Sequence, residues 1–243
     1  MKKVIKIAGS ILAVLVAVLA IWQWNNLKSV YIGITATPEK IQHQREANQE
    51  KLIEDVNSFL DEPIRDMTAE EKAKVESGEM TKEEVLSEIF AQMQSGQKDK
   101  ADSSAENKKE KKSEKTAKKD KKDKSGAALK DEIVGKYMSQ LYSLQGEYTG
   151  RAEATVSQAK SYYVSLRKTQ DKASARANTV AKYSSLARGV ESECDAKVAS
   201  VIAGLENELK AIGANTDITG TIRAAYQNEK QLKISYYTSK YMN

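Results

Sequence analysis

The sequence contains little of the material from which most catalytic and metal sites are built. Its 243 residues include one histidine, His43, and one cysteine, Cys194. Zinc sites commonly need several His and Cys ligands, and nucleophilic sites need a reactive side chain beside a base, so almost no material for either is present. The chain also lacks a phosphate-binding glycine loop, a Gly-x-Ser-x-Gly motif and a Cys-x-x-Cys motif. We therefore expect neither an enzyme nor a bound cofactor or metal ion.

The single cysteine also limits disulfide chemistry. Cys194 has no partner within the chain and falls on an apolar helical seam, where an unreactive buried thiol is expected. An intermolecular disulfide across a parallel dimer is the alternative for an exported chain. His43 lies in the polar middle of a predicted helix, and we interpret it as a surface residue.

Proline and phenylalanine are scarce too, with two residues of each, and aromatic residues make up 6% of the chain. Long tracts rich in Ala, Glu, Lys and Leu are typical of helices. The sequence predicts an all-α protein in four parts: an N-terminal membrane anchor or uncleaved signal-anchor at 1–28, a membrane-proximal helical module at 37–95, a disordered lysine-rich linker at 96–127, and an elongated helical hairpin or coiled-coil domain at 128–243.

The surplus of positive charge is confined to the linker. The net charge is +5, and between Lys98 and Lys124 twelve lysines accompany seven acids, so the rest of the chain is neutral. This tract has no arginine and no aromatic residue, the side chains with which nucleic-acid binders contact bases. We interpret it as a solvated spacer with weak attraction to anionic wall polymer or lipid headgroups, and we do not expect nucleic-acid binding.

One long apolar run is present, at the N-terminus. Residues 7–24 contain no charge and would span about 27 Å as a helix, close to the hydrocarbon thickness of a bilayer. Five residues mark the two interfaces of this anchor: Lys2, Lys3, Lys6, Trp22 and Trp24. The positive-inside rule places the N-terminus in the cytoplasm and the bulk of the chain outside the cytoplasmic membrane. A cleavable signal peptide with a small-residue site ending at Ala20 is the alternative, and it exports the same domain.

Local signals define three helices in the module at 37–95. Thr37 and Pro38 mark a helix start, and Pro63 disfavours helix at Glu62, so the first helix is expected to end there. Two capping boxes and one glycine cap mark the others: Thr68 with Glu71, Thr81 with Glu84, and Gly78. We expect the apolar face of the third helix to pack on the helix of 38–62, with a docking surface as the alternative; this face consists of Val85, Leu86, Ile89, Phe90 and Met93.

From residue 129 onward, apolar and small residues recur every three or four positions and no proline interrupts them. The seam consists of Val134, Tyr137, Leu141, Leu144, Tyr148, Ala152, Thr155, Ala159, Tyr162 and Leu166, then Ala173, Ala177, Val180, Ala187, Val190, Cys194, Val198, Val201, Leu205, Leu209 and Ile212. We favour one continuous helix over residues 129–212. The alternative is two helices folded back on each other, with the polar stretch at 167–176 near the turn.

A second boundary in this domain is better marked. Gly213 is placed to cap the preceding helix, and Thr216, Asp217 or Thr219 can start the next. A short connection between two amphipathic helices predicts an antiparallel hairpin. We therefore expect the C-terminal helix, about 218–241, to pack along roughly 185–212.

These features predict a membrane-anchored, extracytoplasmic helical scaffold or adaptor of a bacterial cell envelope, which binds a protein partner or itself through helix faces. The second hypothesis is a cell-wall glycan or lipid-binding module with tyrosine-rich helices, although tyrosines at helical spacing more often serve packing. Its interaction face would contain Tyr162, Tyr163, Tyr236 and Tyr237. A third hypothesis, a nucleic-acid tether on the cytoplasmic face, requires the reverse membrane orientation.

Overall fold

The computed structural model describes residues 27–95 and 126–242. Within these two ranges the chain forms helices and no strand, which confirms the all-α prediction for this part of the protein. The helices are α1 (Leu27–Thr35), α2 (Pro38–Phe59), α3 (Ala69–Ser77), α4 (Lys82–Ser95), α5 (Gly126–Leu166), α6 (Lys172–Ala211) and α7 (Asp217–Met242).

Residues 1–26 of the predicted anchor lie outside the described residues, and so do its interface residues Lys2, Lys3, Lys6, Trp22 and Trp24. Residues 96–125, nearly all of the predicted linker, lie outside them too. Among the helices of the described ranges, none is both long and apolar enough to cross a membrane. The anchor and the linker therefore stay predictions.

The predicted helix starts are confirmed. The Thr37 side chain caps α2 by accepting a hydrogen bond from the Lys40 amide, and Pro38 occupies the first helical position. Both capping boxes form, with reciprocal hydrogen bonds between Thr68 and Glu71 and between Thr81 and Glu84. Gly78 and Gly213 end α3 and α6 with positive φ angles of 75° and 71°, which glycine adopts without the steric cost of a side chain. Helix α2 ends at Phe59, three residues before the predicted end.

The favoured continuous helix over residues 129–212 is wrong, and the folded-back alternative is right. Helix α5 ends at Leu166 and α6 begins at Lys172. The Asp171 carboxylate accepts hydrogen bonds from the amides of Ala173 and Ser174, which satisfies the unpaired donors of the first turn of α6. A side-chain cap therefore stabilises this turn without proline or glycine.

Helix α5 is the central element of the fold, because α4 packs on one of its sides and α6 on another. The apolar face of α4 is buried as predicted, but it packs chiefly against α5 instead of α2. The Phe90 ring stacks on Tyr142 of α5 with 5.6 Å between ring centroids. The buried core joins residues from both predicted globular parts: Val56, Leu60, Leu86, Phe90, Ile133, Val134, Tyr137, Met138, Tyr142, Val198, Ile202, Leu205, Leu209, Ile218 and Ile222.

Polar contacts fasten the start of α5 to the end of α2. The buried Asp131 carboxylate accepts hydrogen bonds from the amides of Asp61 and Glu62, at 3.1 and 2.9 Å. The neighbouring Lys130 Nζ donates to the carbonyl of Phe59 at 2.7 Å. These bonds satisfy backbone groups beyond the last turn of α2, so residues on either side of the lysine-rich tract form one folded body.

Helices α1 and α7 approach closely through small residues. Ser235 Oγ donates a hydrogen bond to the carbonyl of Ser29 at 2.7 Å, and Ser239 Oγ donates to the carbonyl of Ala36 at 2.6 Å. Gly33 lies between them, where an added Cβ would come within 2.5 Å of Thr238 Cβ. This contact needs glycine at position 33 because no side chain fits there.

Gly33→Ala tests that contact. We expect it to lower the free energy of unfolding by about 1–3 kcal/mol, because the new methyl group would overlap Thr238 and the Ser235 carbonyl. Gly189→Ala in α6 is the matched control, since nothing lies within 4 Å of its added Cβ. The control should gain about 0.5–1 kcal/mol from helix propensity. Equal effects in urea unfolding, followed by far-UV circular dichroism, would contradict the close approach.

Glu71 gives the fold a pH dependence. Hydrogen bonds from the Arg65 guanidinium lower the pKa of Glu71 from 4.5 to about 2. A depressed pKa in the folded state means that Glu71 contributes stability above pH 4.5 and loses it as the pH falls toward 2.

We expect the free-energy difference of unfolding between the wild type and Glu71→Gln to shrink as the pH falls across that window. Glu70→Gln, which alters an exposed i,i+4 pair with Lys74, should have little effect at any pH. Urea unfolding curves of the wild type and Glu71→Gln that keep a constant separation would contradict this.

Candidate ligand-binding cavity

Long polar side chains connect α6 and α7. Tyr226 donates a hydrogen bond from its hydroxyl to Asp195 Oδ1 at 2.5 Å. Lys230 Nζ pairs with Asp195 Oδ2 at 2.7 Å and with Glu191 Oε1 at 2.6 Å. These contacts show that α6 and α7 run antiparallel, as predicted. The expected packing of the C-terminal helix along residues 185–212 is wrong, because α7 packs chiefly on α1 and α2 and its backbone comes close to that of α6 at few positions. Space therefore remains between α6 and α7.

That space is a cavity of about 420 Å³ bounded by α2, α5, α6 and α7. Its surface is mostly apolar, and the larger apolar side chains on it are Leu52, Met138, Leu141, Val156, Val190, Val198, Ile222 and Ile234. Small-molecule sites in proteins commonly have volumes of about 300–1,000 Å³ and walls of this kind. The cavity has the size and the lining of a binding site for a small apolar or amphipathic molecule.

A polar depression of about 320 Å³ adjoins the cavity and shares Thr149, Lys233 and Tyr237 with it. Its other residues are Gln42, Arg45, Glu153 and Tyr236. The Arg45 guanidinium lies over the Tyr236 ring, 6.0 Å from its centroid. One end of the apolar space therefore meets a polar and partly charged surface.

Charged residues lie buried or partly buried where the two spaces meet. Glu229 Oε1 accepts hydrogen bonds from Arg45 Nε and Nη2 at 2.9 and 2.7 Å. Lys233 Nζ lies 4.0 Å from the same oxygen and donates to Thr149 Oγ1. Burial lowers the pKa of Lys233, because removing an ammonium group from water disfavours its charged form, while the Glu229 charge opposes that effect.

Five side chains of the cavity wall have a buried polar atom that makes no hydrogen bond within the described part of the chain: Tyr142 Oη, Tyr148 Oη, Glu191 Oε1, Glu229 Oε2 and Thr238 Oγ1. Of these, Glu191 Oε1 still has an ion-pair partner in Lys230. Burial and the negative charges of Glu83 and Glu229 raise the pKa of Tyr142, so its hydroxyl stays protonated and can donate. A buried polar atom without a partner typically costs about 1–3 kcal/mol. Such atoms are rare in native proteins, and each one calls for an explanation.

The four tyrosines of the predicted interaction face lie in two separate places. Tyr237 lines the cavity and Tyr236 lines the polar depression, with their rings in an edge-to-face contact at 5.7 Å. Tyr162 and Tyr163 lie near the end of α5, where Tyr162 contacts the ring of Tyr183 at 5.8 Å. Only the pair on α7 therefore belongs to the candidate site.

Cys194 and His43 occupy different surroundings. Cys194 is half-buried on the cavity wall, 3.5 Å from the Tyr226 hydroxyl, and burial raises the pKa of its thiol. The thiolate is the reactive form of cysteine, so this environment favours an unreactive thiol. His43 is exposed on α2. In the part of the chain that the structure describes, no cluster of three or more His, Cys, Asp or Glu side chains could hold a metal ion.

Sequence reasoning missed the polar residues of this site. Glu229 is only 8% exposed, and no pattern in the sequence singled it out. Glu229 and Lys233 are four residues apart, which is also the spacing of an ordinary surface ion pair on a helix. The positions of α2 and α5 against α7 bury them, and no local pattern signals that packing.

Comparison with known proteins finds no match: no family model matches the sequence, and no curated protein or solved structure is significantly similar to it. The kind of protein therefore has to be inferred from its structure. The described residues form an all-helical protein with a mostly apolar cavity between four of its helices.

Proposed function

We propose that this protein binds a small apolar or amphipathic molecule in the cavity between α2, α5, α6 and α7. The observation that carries the proposal is the cavity itself: about 420 Å³ of mostly apolar space between four helices. Burial of apolar ligand surface in such a space contributes roughly 25 cal/mol per Å². This develops the lipid branch of the second sequence hypothesis, with the cavity replacing the full tyrosine face as the site.

The predicted membrane anchor completes this proposal. Residues 1–28 would hold the binding domain at the outer face of the cytoplasmic membrane, where lipid-like molecules are the most abundant amphiphiles. The lysine-rich tract would act as a spacer within the same exported chain. The protein would then be a membrane-attached binding protein without catalytic activity.

A fluorescent probe tests the cavity. N-phenylnaphthylamine, an uncharged dye that brightens in apolar surroundings, would be titrated into the full chain in nanodiscs. Ala152 and Ala187 both line the cavity. We expect Ala152→Leu with Ala187→Leu to weaken dye binding at least about tenfold by occupying that volume, which corresponds to about 1.4 kcal/mol.

The matched control is Ala199→Leu, which enlarges an exposed alanine of α6 outside the cavity. The control should bind dye like the wild type. Far-UV circular dichroism would check that all the variants remain helical. Wild-type binding no stronger than that of the filled variant would refute the proposed function.

A second candidate function is the helix-mediated adaptor. Two large apolar side chains of the α5–α6 hairpin are exposed, Val164 at 60% and Leu186 at 49%, and both could contact a second helix pair. If the protein self-associates through the α5–α6 hairpin, the double substitution Val164→Ser and Leu186→Ser should convert a dimer to a monomer. Sedimentation of the detergent-solubilised chain would measure this change. Ala181→Ser, an exposed change on α6, is the control. A wild-type monomer would eliminate self-association as the role of this arm.

A further inference from the structure

We propose that the cavity selects a neutral amphiphile whose hydroxyl group binds between Tyr142 and Glu229, with its alkyl part in the apolar space. This inference rests on the proposed function and adds the chemical class of the ligand. It starts from two of the unpaired polar atoms of the cavity wall, Tyr142 Oη on α5 and Glu229 Oε2 on α7.

The contact between α5 and α7 places these two atoms at neighbouring levels of the cavity. Lys233 on α7 bonds to Thr149 on α5. One helical turn earlier, α7 carries Glu229 and α5 carries Gln145, and Tyr142 lies a further three residues back on the same face of α5. The Glu229 charge acts on the Tyr142 hydroxyl, as expected for groups that share one low-dielectric space.

The hydrogen-bonding capacity of the two groups defines the complementary group. A carboxylate oxygen only accepts, whereas a tyrosine hydroxyl both donates and accepts. An alcohol hydroxyl can donate to Glu229 Oε2 and accept from Tyr142 at the same time. A single ligand hydroxyl therefore satisfies both atoms and removes the cost of leaving them unpaired.

The surrounding charges disfavour an ionic head group. Arg45 and Lys233 would repel a cation, whereas Glu229 and Glu83 would repel an anion. Glu83 Oε1 already accepts hydrogen bonds from the side-chain amides of Gln49 and Gln145. Glu153 adds a further carboxylate to the adjoining depression, so charges of both signs surround this end of the cavity. An uncharged hydroxyl has no net repulsion to overcome there, and it needs less desolvation than a carboxylate or an ammonium group.

Competition between three ligands of equal chain length tests the inference. Decanol, decanoate and decylamine would each displace N-phenylnaphthylamine from the full chain in nanodiscs. The signal of the Ala152→Leu, Ala187→Leu variant would be subtracted, so that only displacement from the cavity is counted. We expect decanol to compete at about tenfold lower concentration than either ion, a difference of about 1.4 kcal/mol.

Two substitutions assign that preference to the proposed atoms. Tyr142→Phe should weaken decanol binding about fivefold more than it changes dye binding, because the lost hydroxyl is a partner of the alcohol and not of the uncharged dye. Its thermal midpoint should stay level or rise, since the wild-type hydroxyl is buried without a partner. Glu229→Gln should remove the anionic repulsion and narrow the gap between decanol and decanoate. Tyr162→Phe, near the end of α5, is the control and should behave as the wild type.

The outcomes distinguish failure of the cavity as a binding site from failure of the proposed ligand class. If the wild type binds no more dye than the filled variant, the cavity is not a binding site and the proposed function fails with this inference. If dye binds but decanol is not preferred, the ligand class is wrong while the cavity stands as a site. A decanol preference that survives both Tyr142→Phe and Glu229→Gln would also overturn the inference.

Discussion

The distance between α6 and α7 is the constraint on which the cavity depends. Lys230 reaches across to Glu191 and Asp195, and Tyr226 reaches Asp195 beside it. Because the polar ends of these long side chains must meet, the helix backbones stay apart at this level. The small residues of α6, such as Ala187, are too short to fill the space. Ion pairs that look like ordinary surface pairs therefore set the width of an internal cavity.

Close backbone contacts elsewhere in the fold hold the helices around the cavity in place. At Gly33 the backbone of α1 lies directly against α7, and at Gly135 the backbone of α5 lies against α4, where an added Cβ would come within 2.8 Å of Met93. Close contacts of this kind allow little relative movement, because protein interiors are packed like crystals. Helix α7 therefore packs closely against α1 on one side and stays apart from α6 on another. The close packing on one side and the separation on the other leave the apolar cavity open while the surrounding core stays folded.

The polar residues of the cavity wall are costly for stability, and the proposed binding of an amphiphile would account for them. A buried group such as Glu229 needs the Arg45 pair to offset its desolvation, and apolar replacements of such pairs often leave a protein equally or more stable. Stability alone therefore gives no reason to place Arg45, Glu229 and Lys233 beside an apolar space. Recognition of an amphiphile gives one, since its polar end needs partners and its apolar end needs a dry wall.

The sequence by itself determined the helical class, the capping boxes and the glycine caps at Gly78 and Gly213, because these depend on residues within a few positions of each other. It wrongly favoured a continuous helix across residues 167–171, since the Asp171 cap resembles many surface aspartates and the apolar seam continues on both sides. Periodicity shows which face of a helix is apolar but not which helix covers it, so only the tertiary structure decided that α4 packs on α5. The same reason applies to the cavity: the positions of α2, α5, α6 and α7 bury Glu229 and Lys233, which four-residue spacing alone would place in water.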